Sequence, residues 1–81
     1  MGITYTIKLA ANDLGQVIDG LQSRSEAWHG TAEYFESGHS PHEDFVIEDC
    51  NDADEARAIA ADYDRIIAEI QNQMHAQEAA R

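Results

Sequence analysis

The chain has 81 residues, 43% of them hydrophobic, and sets 16 Asp and Glu against 5 Lys and Arg, a formal net charge of −11. That length holds one modest core and excludes a second domain, since a chain of this size buries only about 60% of the surface its unfolded form exposes. The hydrophobic share is too high for a disordered chain, and the charge disfavours both nucleic-acid phosphates and anionic membranes, which attract Lys and Arg clusters.

From Ile3 to Leu9 the apolar side chains alternate with Thr4, Thr6 and Lys8, the period of a half-buried strand. A signal peptide would need an unbroken apolar stretch there, and no segment approaches the roughly 18 apolar residues of a membrane span, so the expected location is the cytoplasm. Asn12 then offers an N-cap and the spacing turns helical through Leu14, Val17, Ile18, Leu21, Trp28, Ala32 and Phe35. Leu14, Leu21, Trp28 and Phe35 repeat every seven residues, which predicts one seam on a first helix from about Asp13 to Ser37.

Gly38 stands where a left-handed C-cap is needed, and Ser40-Pro41 bars helical continuation. Phe45-Val46-Ile47 is of strand type, giving a second short strand over about 45–48. Asp52 followed by Glu55 makes a capping box for a second helix, which carries Ala56, Ile59, Ala60, Tyr63, Ile66, Ile67, Ile70 and Met74 on one face. The tail from His75 to Arg81 is expected to fray. The expected fold is mainly α: two long amphipathic antiparallel helices in a hairpin, with one or two short β-strands at about 3–9 and 45–48, as a single domain over 1–81. Such a hairpin leaves part of each seam wet, which points either to a homodimer of four helices or to a monomer whose two strands pair in parallel over one face.

Chemistry-bearing constellations are sparse. His39 and His42 with Glu43 and Asp44 are the nearest approach to a metal cluster, but a zinc site wants four ligands in closed spacing, and a solvated loop explains them better. His29 and Glu33, four apart, have the reach of a base and its orienting carboxylate, and a surface helix pair accounts for them as well. Neither a nucleophile in a recognisable setting nor a glycine-rich loop before a helix is present, so the chain reads as a non-enzyme without cofactor. Trp28 and Phe35, with Tyr34 beside them, read as core rather than as a base-stacking platform, because no Lys or Arg accompanies them. Cys50 is the only cysteine; it permits no internal disulfide and reads as a small half-buried filler.

The informative feature is where the charge lies. Residues 1–32 and 56–81 each net −1, whereas 33–55 hold nine acids and no Lys or Arg: Glu33, Glu36, Glu43, Asp44, Glu48, Asp49, Asp52, Asp54 and Glu55. Solubility alone favours dispersed charge, and helix capping explains only Asp52, Asp54 and Glu55. In size and charge the chain resembles the small acidic DNA mimics, anti-CRISPR and anti-restriction proteins of phages and other mobile elements, a resemblance of composition that covers no motif. It implies an inhibitor that docks its carboxylates on a basic, nucleic-acid-binding protein or nucleoprotein complex. Glu43, Asp44, Glu48 and Asp49 would form the contact core, flanked by Glu33, Glu36, Asp52, Asp54 and Glu55. The alternative is a helical homodimeric interaction or assembly module, antitoxin-like variants included, with a merely solvated acid end.

Overall fold

In the computed structural model, which describes residues 2–80, two antiparallel helices of 27 residues each, α1 (Ala11–Ser37) and α2 (Ala53–Ala79), form a hairpin. At 1.5 Å per residue each helix runs about 40 Å, in keeping with a long dimension of 48 Å. The turn signals act as their chemistry requires. Gly38 takes the left-handed conformation at φ 80° and its N–H donates to the Tyr34 carbonyl at 2.8 Å, closing α1 with no Cβ penalty. At the start of α2 the Asp52 carboxylate accepts from the Glu55 N–H at 2.8 Å, a cap of the kind that contributes about 1 kcal/mol. The capping box is only half made, because the Glu55 side chain accepts from the Asn51 amide instead.

Several expectations need correction. Asn12 is not the N-cap: α1 begins at Ala11 with Ala10 in extended geometry and no side-chain cap, so Asn12 lies inside the first turn. The tail from His75 does not leave the helix, which continues to Ala79 with the Ala80 N–H still donating to the Ala76 carbonyl. Among the described residues there are no β-strands. A strand exists only by pairing, and the two candidates sit apart. Residues 5–9 lie beside the C-terminal half of α2, while the second candidate folds back along α1, where the Glu48 N–H donates at 3.0 Å to the Thr31 hydroxyl. The Thr31 hydroxyl in turn donates to the Ala27 carbonyl. The parallel-strand monomer is therefore not the fold.

The core is centred on Trp28, Ala32, Ala56 and Ala60, with Cys50, Ile59 and Tyr63 packed against it. Three alanines let the helices approach closely near the connecting loop, and the indole of Trp28 fills the space they leave. The Phe45 ring closes over Gly30, where a β-carbon would stand 2.8 Å from Phe45 Cε2 and 2.9 Å from Pro41 Cγ. Glycine is thus the residue that lets the loop lie on α1. The predicted seam holds for Leu14, Leu21 and Trp28, which are half-buried or buried, but Phe35 is 41% exposed. A straight helix drifts about 20° per heptad against a seven-residue repeat; three heptads on, Phe35 has rotated out and Ala32 takes the interface position.

Candidate functional site

The acid-rich segment 33–55 spans the last turns of α1, the 38–52 connection and the first turn of α2, so the hairpin gathers it at one end. Five of its nine acids are engaged within the chain. Glu48, half-buried, pairs with Arg24 at 2.8 Å. Arg57 lies between Glu36 and Asp54, and contacts Asp54 at 2.8 Å. Asp52 caps α2 and Glu55 takes the Asn51 amide. The two arginines that serve this end come from outside the segment, one from each helix, and both are occupied. Their pairing offsets part of the repulsion that nine neighbouring carboxylates create.

Glu33, Glu43, Asp44 and Asp49 are different. All four are exposed, and among the described residues none of their carboxylates makes an ion pair or a hydrogen bond. Three members of the expected contact core, Glu43, Asp44 and Asp49, belong to this free set, whereas Glu48 is tied to Arg24. On the last turns of α1, Tyr34 and Phe35 are also exposed and meet edge to face, ring centres 5.8 Å apart. Trp28, by contrast, is a core residue, so the three aromatics do not form one platform.

The histidines go elsewhere than their sequence neighbours suggest. His29 turns not to Glu33 but across the hairpin, Nε2 standing 2.8 Å from Asp64 Oδ2. The other Asp64 oxygen accepts a hydrogen bond from the buried Ser25 hydroxyl. These two hydrogen bonds hold the Asp64 carboxyl below its ordinary pKa against a smaller opposing desolvation. The order is Ser–Asp–His with the carboxylate in the middle. No hydrogen bond joins His29 to Ser25, whereas the base of a nucleophilic triad bonds the hydroxyl whose proton it takes. The groove alongside, of about 390 Å³ and lined by Gln22, Ser25, Glu26, Asp64, Ile67 and Gln71, is shallow and mostly polar.

His42 stacks edge to face on Phe45 with centres 5.7 Å apart, and the His39 N–H donates to the Ser37 hydroxyl. Among the described residues no three His, Cys, Asp or Glu side chains converge as metal ligands would. Cys50 is half-buried against the core, and burial, reinforced by Glu55, pushes its thiol pKa up. No helix among the described residues is long and apolar enough to cross a membrane.

Sequence reasoning missed the two arginine partners, the Asp64 cluster and the fold-back of 41–48 onto α1. Arg57–Asp54 is a local i,i+3 pair, but spacing carried no trace of Arg24–Glu48, Arg57–Glu36 or His29–Asp64, which join residues 24, 21 and 35 apart. Gly30-Thr31, small residues on the buried face of α1, were the one signal that something passes close by. No protein-family model, curated protein or solved structure matches the chain.

Proposed function

We propose that the chain is a protein-binding inhibitor that docks its carboxylate-rich end on an Arg- and Lys-lined surface, of the kind that holds nucleic acid, and occupies it in place of phosphates. The observation that carries this reading is the set of four exposed, unpartnered carboxylates, Glu33, Glu43, Asp44 and Asp49, at an end whose nearby arginines are already engaged. An external cation is the complement such a surface lacks. The exposed Tyr34–Phe35 pair beside Glu33 supplies the apolar and cation–π anchor that interfaces with arginine favour. Nucleic acid itself would meet charge of its own sign. The competing reading is an assembly module in which this end is only solvated.

The test compares wild type with Glu33→Gln/Glu43→Gln/Asp44→Asn/Asp49→Asn, which preserves shape and removes charge. Each is used to capture proteins from a host lysate at about 50 mM salt, and the bound basic protein is then challenged with duplex DNA and with salt up to about 500 mM, where surface attraction is screened within a few ångströms. The expected result is a nucleic-acid-binding partner held by wild type, displaced by DNA and by salt, and lost by the variant. Equal capture by both proteins, or binding that salt does not weaken, would sink the reading in favour of the helical faces.

A further inference from the structure

The segment 3–9 has the composition of a strand and none of a strand's partners. Ile3, Tyr5, Ile7 and Leu9 are 81, 80, 74 and 47% exposed, and among the described residues no backbone hydrogen bond ties 2–9 to another element. The arm borders a groove of about 660 Å³ whose lining includes Tyr5, Ile7, Leu14, Val17, Ile70 and Met74. An exposed apolar group is thus gathered at the pole opposite the acid-rich loop, apart from Val46, Tyr34 and Phe35, which are exposed at the acid end.

We propose that this pole is where two copies of the chain associate, through an antiparallel ribbon formed by the two 3–9 segments about a twofold axis at Thr6. The pattern is self-complementary in that register. Ile3 falls opposite Leu9, Tyr5 opposite Ile7, Thr4 opposite Lys8 and Thr6 opposite its own copy, so all the apolar side chains share one face and no like charges meet. A dyad at Thr6 also pairs the whole segment, whereas a dyad at Tyr5 or Ile7 shortens the ladder, and parallel in-register pairing sets Lys8 against Lys8. A two-stranded ribbon is marginal alone. Here its apolar face lies on the grooves of both hairpins.

The area and the charge both favour a second copy as the occupant. At about 150–250 Å² for a large side chain, the exposed parts of the four arm residues and Val17 come to roughly 600 Å². A stable interface takes about 800 Å² from each partner, and the groove walls and the ribbon backbone supply the difference. The chain's charge of −11 would ordinarily oppose self-association, but residues 1–32 net only −1 and include Lys8. Joined at this pole, the two acid ends project apart by far more than the roughly 10 Å screening length. The inference is independent of what the acid end binds.

The test is sedimentation equilibrium of the full chain over a wide concentration range. Wild type is expected to reach the dimer mass, and Tyr5→Asp/Ile7→Asp to stay monomeric with unchanged helical circular dichroism, since neither residue belongs to the Trp28 core. Thr6→Cys in a Cys50→Ser background is then oxidised. Directly opposed Cα atoms stand about 4.5–5.5 Å apart, within the reach of a disulfide, so Thr6→Cys should link into a covalent dimer. Thr4→Cys, about 13 Å from its copy in this register, should not. A wild-type chain that is monomeric at every concentration overturns the proposal, even if an unrelated protein takes the arm as an added strand. A dimer that survives Tyr5→Asp/Ile7→Asp overturns it as well, because its interface then lies on the helices, and linkage through Thr4 but not Thr6 overturns the register.

Discussion

The two ends of the hairpin are built on different principles. At the loop end, small residues let α1 and α2 come close: Ala32, Ala56 and Ala60 pack around Trp28, Gly30 admits the Phe45 ring, Arg24 ties down Glu48 of the connection, and Arg57 joins Glu36 of α1 to Asp54 of α2. At the open end the contact residues are large aliphatics, Leu14, Val17, Ile70 and Met74, and they border a groove rather than a core. The charge is concentrated at the closed end, where Tyr34, Phe35 and Val46 are also exposed, whereas the exposed Tyr5, Ile7 and Leu9 of the arm lie at the other. The two ends thus offer different surfaces, the closed one rich in carboxylates with exposed aromatic side chains and the open one an exposed arm beside a groove.

Core truncations test the contrast most severely. Trp28→Ala should remove about 3–5 kcal/mol, a large part of the stability of a domain this size, whereas Leu14→Ala, which empties a half-buried site at the open end, should cost about 1 kcal/mol. Urea midpoints at low protein concentration, where any self-association is dissociated, give the comparison. Equal losses would mean that both ends are packed alike.

Glycine substitutions sharpen it. A β-carbon at Gly20 meets nothing within 4 Å, while one at Gly30 collides with Phe45 and Pro41. Gly20→Ala should therefore stabilise α1 by about 1 kcal/mol through helix propensity. Gly30→Ala gains the same propensity but forces the loop off the helix, and overpacking of this kind costs about 1–3 kcal/mol, so its net effect should be a loss of about 1 kcal/mol. A Gly30→Ala protein as stable as Gly20→Ala would show that the loop end yields without cost.

The smallest effect lies between the two ends. Asp64 has its carboxyl pKa lowered by the Ser25 and His29 hydrogen bonds, and a depressed folded pKa adds stability that is present above the unfolded value and lost as the pH falls through the folded one. The gap in urea midpoint between wild type and Asp64→Asn should be widest near neutrality. It should close as the pH drops below the ordinary aspartate value of about 3.9. Because Asp64 is half exposed, solvent screening keeps the gap small. A gap that does not change with pH would remove Asp64 from the interactions that join the helices.

How much of this was legible in the sequence varies with the range of the interaction. The helix ends at Gly38 and Asp52 were read correctly because their signals are local: a residue free to take φ 80°, and a carboxylate three residues from the N–H it caps. Asn12 misled for the opposite reason. Ala10 and Ala11 carry no capping signal, and the first capping-type residue lies one position inside the helix. The nine acids were visible as a cluster, but of the five engaged ones only Asp52 and Glu55 have partners inside the segment, and Glu36, Glu48 and Asp54 depend on Arg24 and Arg57, which lie outside it.

The sequence by itself determined that the chain is a two-helix hairpin with its charge at the turn, because helical periodicity, caps and composition act over a few residues and need no partner. Tertiary structure alone decided the fate of the strand-like segments. The alternation of Ile3 to Leu9 and the β-branched run at 45–48 are properties of residues, whereas a strand is a property of pairs. The fold carried the two segments to different places, 45–48 onto the Thr31 hydroxyl and the arm to the open end. Whether a side chain is core or surface was settled in the same way, by the drift of a straight helix against its repeat, which buried Trp28 and turned Phe35 out to solvent.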